Sequence, residues 1–144
     1  MSDEALEEGS VEQLDWKKLQ QVAASKSAVL PVVVQDAESG AVLILAYANE
    51  EALQESFRRG LAVLWSTSRN ELWVKGATSG NTLELAEVRV NCEQNSLLYL
   101  VKVKDGNGAC HTCDADGSAR YGCYYRRLAS DGSLTHAGDE GRYA

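Results

Sequence analysis

Seven short runs of apolar and β-branched residues, each closed by turn-forming residues, constrain this chain more than any other feature. They are Val29 to Gln35, Ala41 to Tyr47, Ala62 to Ser66, Leu72 to Ala77, Thr82 to Val90, Ser96 to Lys104 and Tyr121 to Leu128. Runs of this length favour strands over helices, and the turn residues between neighbours favour antiparallel pairing. The clearest hairpin joins the first two runs through Asp36 to Gly40. In the fifth run Leu83, Leu85, Val88 and Val90 alternate with polar residues, except that the alternation slips near Ala86 and predicts a bulge. Two short helices interrupt the strands. One begins near Leu14, with Asp15 as N-cap and Leu14, Leu19 and Val22 as its docking side. The other runs from an Asn49 cap through Glu50, Glu51, Leu53 and Phe57 to Arg58, Arg59 and Gly60. The expected fold class is α+β: a predominantly antiparallel sheet with one or two short helices.

A chain of 144 residues is one domain. The domain is expected over 14–128, after a mobile acidic tail at 1–13 and before a polar C-terminal tail at 129–144. The first ten residues carry four carboxylates and too few large apolar groups to repay their ordering entropy. No apolar run is long enough to span a bilayer and no leader pattern opens the chain, so a cytoplasmic location and no membrane partner are expected. A net charge of −7 repels a phosphate backbone, which argues against nucleic acid as a partner.

All four cysteines fall between positions 92 and 123: Cys92 at a strand end, Cys110 and Cys113 in a glycine-rich loop, and Cys123 on the last run. Clustered thiols without a secretion signal point to zinc before disulfides. A closed four-thiolate structural site, an open three-thiolate catalytic site and a redox pair all satisfy the spacing. His111 beside Cys110 is either an exposed loop histidine or a proton relay for a metal-activated water. Trp65, Ser66, Ser68, Arg69, Trp73 and Lys75 read, taken alone, as a core tryptophan among solvated charges.

Four segments in order, VVVQDAESGAVLILAYANEEAL, LWSTSRNELWVKGATSGNTLEL, VRVNCEQNSLLYLV and GACHTCDADGSARYGCYYRRL, are similar to the phosphoribosyl-AMP cyclohydrolases of histidine biosynthesis. The resemblance covers about Leu30 to Leu128. It implies an intertwined homodimer that hydrolyses the N1–C6 bond of the adenine ring of N1-(5-phosphoribosyl)-AMP, a nucleotide substrate. It also implies zinc held by Cys92 of one subunit and by Cys110 and Cys123 of the other, with His111 as the catalytic base. Substrate contacts are then expected from Trp65, Ser66, Arg69, Trp73, Lys75, Thr78, Ser79, Gly80 and one of the adjacent Arg126 and Arg127, assigned to Arg126. The sequence departs from the family pattern at two places. Where the family carries Asp-Cys-Asp-x-Asp for Mg²⁺, this chain has Asn91, Cys92, Glu93, Gln94 and Asn95, so Mg²⁺ binding there is expected to be weak and assisted by substrate phosphates. Cys113 and the insertion DADGSARYG also lie between the last two ligands. These departures leave a paralogue acting on a related purine nucleotide, and a non-catalytic zinc-stabilised nucleotide-binding protein, as alternatives.

Overall fold

The structure, a computed structural model, describes residues 3–78, 80–104 and 108–137. It is α+β and mostly antiparallel, with short helices α1 (Asp3–Glu8), α2 (Lys18–Ala23) and α3 (Glu50–Arg59). The main sheet has the order β2-β1-β6-β5, built from β1 (Leu30–Asp36), β2 (Val42–Ala48), β5 (Glu84–Val90) and β6 (Leu97–Lys102). The hairpin β3 (Val63–Ser66) and β4 (Glu71–Val74) packs beside β2, and β7 (Arg126–Leu128) pairs with β8 (Leu134–His136).

Period-two burial explains the sheet. On β6, Leu97, Tyr99 and Val101 face inward, and on β1 Val32 and Val34 do the same. Leu43, Leu64 and Leu83 complete the core, each full burial contributing about 1.5–3 kcal/mol. The β1–β2 hairpin forms as expected, its turn capped by Asp36, whose carboxylate accepts the Glu38 amide at 2.8 Å. The predicted bulge falls between Leu85 and Glu87. The pairing of β1 with β6 is parallel.

Helix α3 starts and stops as the sequence indicates. Asn49 accepts the Ala52 amide at 2.8 Å, and Gly60 closes the helix in the left-handed conformation. Its buried face is Ala52 and Ser56, however, and Phe57 stays 62% exposed. Ser56 is selected by the core's polar needs: its hydroxyl accepts the Val63 amide and meets the Tyr99 hydroxyl.

Helix α2 is shorter than expected. Asp15 does not cap it and instead accepts the Lys17 amide in the preceding turn. Leu14 and Leu19 remain exposed, and of the expected docking side only Val22 is half-buried. The last run is extended only from Arg126, because residues 121–123 bond elsewhere: the Tyr121 carbonyl accepts the Ala109 amide and the Cys123 amide donates to Leu43. The stretch read as an acidic tail contains α1, and that read as a polar C-terminal tail contains β8. No helix among the described residues is long and apolar enough to cross a membrane.

Candidate functional site

The inserted loop folds into a small hairpin that returns Cys123 to Cys110. Backbone bonds from Cys110 to Arg120, Arg120 to Thr112 and Asp114 to Ser118 define it, with Gly117 in the left-handed conformation at the tip. Gly108 permits the closure, since a Cβ there would lie 2.1 Å from the Arg120 carbonyl oxygen. Cys123 is then pinned to β2 through its amide, which donates to Leu43 at 2.7 Å.

The pairing of Cys110 with Cys123 shifts the two thiols in opposite directions. The hydrogen bond with Cys123 lowers the Cys110 thiol to about 5, against the opposing effect of burial, and the Thr112 hydroxyl, 3.0 Å from the sulfur, adds to the lowering. Cys123 is pushed far up by the same pairing and by desolvation. Lys75, only 6% exposed, stands within electrostatic reach of both sulfurs. Burial lowers its pKa, and the sulfur charges oppose that shift. A buried ammonium beside a pair of thiols, one of them inclined to ionise, is an arrangement expensive enough to suggest function over stability.

Three cavities meet around Trp73, on β4. One of about 300 Å³ is lined by Lys18, Tyr47, Trp65, Ser66, Arg69 and Trp73 among others. A larger one of about 550 Å³ includes Arg69, Trp73, Lys75, Thr78, Cys110 and His111. The third, about 270 Å³, is bounded by Trp73, Lys75, His111, Cys123 and Tyr124 with their neighbours. The β3–β4 register, Leu64 to Trp73 and Trp65 to Leu72, sets the two tryptophans on neighbouring strands. The buried indole N–H of Trp65 has no acceptor among the described residues. Gly76, in the left-handed conformation with the Asn81 carbonyl 2.1 Å from where a Cβ would be, closes the loop that carries Thr78 and Gly80. Ser79 lies outside the described residues.

The structure therefore brings together Trp65, Ser66, Arg69, Trp73, Lys75, Thr78, Cys110, His111 and Cys123. It leaves Gly80, Arg126 and Cys92 apart, Gly80 lining none of the three cavities and donating its amide to the Gly76 carbonyl at 2.9 Å. The Arg126 guanidinium donates to the Leu6 and Gly9 carbonyls at 2.9 and 3.1 Å, binding the N-terminal segment. Cys92 lies in the turn after β5, on the edge opposite β2 and at the other end of the strands from Leu43. Three strand spacings and about four residues of rise put it roughly 20 Å from the Cys123 anchor. Among the described residues, no three His, Cys, Asp or Glu side chains gather in a way that would hold a metal.

Around Cys92, Asn91 Oδ1 accepts the Asn95 and Ser96 amides, both at 2.9 Å, and Asn95 Oδ1 accepts from Asn91 Nδ2 at 2.6 Å. Asn95 Nδ2 in turn donates to Glu93. Cys113 is exposed, bridges to Ala119 toward the tip of the small hairpin and lines the larger cavity with Cys110 and His111. Sequence reasoning missed Lys18, which reaches a cavity from α2, and Arg120, which binds Glu8 of α1 with two nitrogens. A lone arginine in an insertion carrying two aspartates was the available signal for the second.

A model of the phosphoribosyl-AMP cyclohydrolase family matches residues 44–125, the span holding every cysteine and both cavity tryptophans. Relatives named phosphoribosyl-AMP cyclohydrolase include one from Chloroherpeton thalassium, 40% identical over 122 residues, covering 85% of this chain and 81% of that protein. Another, from Archaeoglobus fulgidus, is 48% identical over 103 residues, covering 72% of this chain and 88% of the relative. A third, from Hyphomonas neptunium, is 46% identical over 103 residues, 72% of each.

Proposed function

The chain belongs to the phosphoribosyl-AMP cyclohydrolase family, hydrolases of histidine biosynthesis, and on that premise we propose that it opens the adenine ring of N1-(5-phosphoribosyl)-AMP at the N1–C6 bond. The observation that carries this reading is the Cys110–Cys123 pair beside buried Lys75, where the cavities around Trp73 converge. Water's oxygen joins C6, the C6–N1 bond breaks, and N1 leaves with a proton.

Two adjacent sulfurs, one already inclined to ionise, are a donor set suited to zinc. Cys110 and Cys123 would hold it together with Cys92 of a second copy, since roughly 20 Å separates Cys92 from its own chain's pair. Zinc there supplies Lewis acidity toward water. Three thiolates leave such a centre one negative charge in excess, and Lys75 balances it. His111 takes the proton from the attacking water. The Trp73 face stacks on the ring, while Arg69 and Lys18 hold one phosphate, and the Thr78 hydroxyl approaches the other. The protein works as a cytoplasmic homodimer. Support for pairing comes from the edge strand β5 and from exposed Leu45, Phe57 and Val90.

The test is a ring-opening assay on the zinc-loaded protein, followed by the absorbance change of the purine. Turnover with about one zinc per chain is the expected result. Zinc held by all four cysteines of one chain, without turnover, would instead make this a nucleotide-binding protein. A related purine nucleotide is the second reading, favoured by the loss of two carboxylates around Cys92. It predicts a higher kcat/KM for that nucleotide in direct competition.

Magnesium does not fit the same segment as a site made by protein alone. Asn91, Glu93 and Asn95 offer a single charge, and their oxygens already serve the turn. Mg²⁺ enters with the substrate's phosphates. Titration of the protein alone is expected to give an affinity at least ~10-fold weaker than titration with a non-hydrolysed nucleotide present. Equal, tight binding in both would mean that other carboxylates, such as Asp114 and Asp116, supply a site.

A further inference from the structure

The N-terminal segment is bound to the cysteine hairpin by more than one contact. Arg120, 6% exposed, donates from Nη1 and Nη2 to the two Glu8 carboxylate oxygens at 2.6 and 2.9 Å, and from Nε to Asp114 at 3.1 Å. Its guanidinium lies 4.1 Å from the Tyr125 ring centroid. The Tyr125 hydroxyl donates to the Glu7 carbonyl at 2.8 Å, and Arg126 binds the carbonyls of Leu6 and Gly9. Beyond α1, Glu12 donates to Gly132 and Leu134 to Ser10, extending the strap along β8.

These anchors fix the backbone on both sides of Glu7 and at Glu7 itself. Its carboxylate oxygen lies 3.0 Å from His111 Nε2. A lone exposed contact of this kind contributes little, because ordering two side chains cancels most of the attraction. Here much of that ordering cost has already been met by the strap, so the contact can hold a ring that is otherwise 75% exposed. A carboxylate only accepts, so Nε2 carries the hydrogen and the other ring nitrogen is left as the proton acceptor.

We propose that Glu7 is a positioning residue for His111: from the N-terminal strap it fixes the ring and its tautomer for proton transfer in the hydrolysis. This rests on His111 being the proton acceptor proposed above. The strap lies outside the span matched by the family model, residues 44–125, so the device belongs to this chain's own N-terminal segment.

A double-mutant cycle tests it, with zinc content measured for each protein. Glu7→Ala and the size-preserving Glu7→Gln are each combined with His111→Ala, and Glu4→Gln on the same helix is the control. Expected is a fall in kcat of about 10-fold for both Glu7 variants, as for other groups that orient a working histidine, with KM little changed. In the His111→Ala background neither Glu7 variant should lower kcat further, and Glu4→Gln should match wild type. Equal losses in both backgrounds would mean that Glu7 only holds the strap, which overturns the proposal. Wild-type kcat for both Glu7 variants, with His111→Ala impaired, would overturn it while leaving the role of His111 intact. Full activity of His111→Ala would remove the role of His111 itself, and the proposal with it.

Discussion

Serine in place of Cys110 or Cys123 is expected to remove zinc and turnover together, by at least ~10³-fold in kcat, because each substitution would take one of the three anionic ligands from the proposed centre. Cys92→Ser should behave the same way despite its distance from the pair. Cys113→Ser should be milder, within about threefold of wild type, because Cys113 lines the cavity shared with Cys110 and His111 without being one of the three proposed ligands. Its bridge to Ala119, toward the tip of the small hairpin, is made by the backbone and does not need the sulfur. Zinc content by mass spectrometry and initial rates measure both quantities on the same samples. Equal zinc loss at all four positions would point to a closed structural site and away from catalysis.

The proposed role of Lys75 is distinct from that of the thiols. Lys75 lines both cavities that reach the cysteine pair, and desolvation depresses its pKa. A cation kept there at a cost to folding makes sense if the site around it carries excess negative charge. Its neighbour Trp73 lies with its ring centroid 5.7 Å from the ammonium, so one aromatic face accompanies both the charge and the cavities.

The parts of the fold legible in the sequence were those decided locally. The β1–β2 hairpin, the Asn49 cap, the Gly60 stop and the bulge near Ala86 all depend on residues a few positions apart. The parallel pairing of β1 with β6 joins residues some 65 positions apart and leaves no local pattern. Phe57 misled because helical spacing shows which residues share a face without showing how far that face is covered. The N-terminal strap was invisible for a further reason. Its hold on the domain is polar, through Glu8 to Arg120 and Tyr125 to the Glu7 carbonyl, whereas periodicity registers only apolar faces.

At the site, residue types were legible and their grouping only partly so. Trp65, Ser66, Arg69, Trp73 and Lys75 lie on one hairpin, so their closeness follows from sequence alone. That Cys110 meets Cys123 depends on the insertion folding back on itself, which its glycines and turn residues permit without dictating. Of the adjacent Arg126 and Arg127, Arg126 was assigned to substrate, yet it begins β7 and its guanidinium is taken up by backbone carbonyls of the N-terminal segment.

The central claim is that one catalytic centre draws Cys92 from one chain and Cys110 with Cys123 from another. Complementation between two inactive variants tests it directly. Cys92→Ser and Cys123→Ser chains are prepared separately, then unfolded, mixed in equal amounts and refolded with zinc. In a mixed dimer one site carries both substitutions and the other carries neither. Half of randomly paired dimers are mixed, so the mixture should regain about a quarter of wild-type activity, with zinc recovered in proportion. If all ligands of a centre came from a single chain, every site in the mixture would carry one substitution, and activity no higher than that of the separate variants would contradict the account.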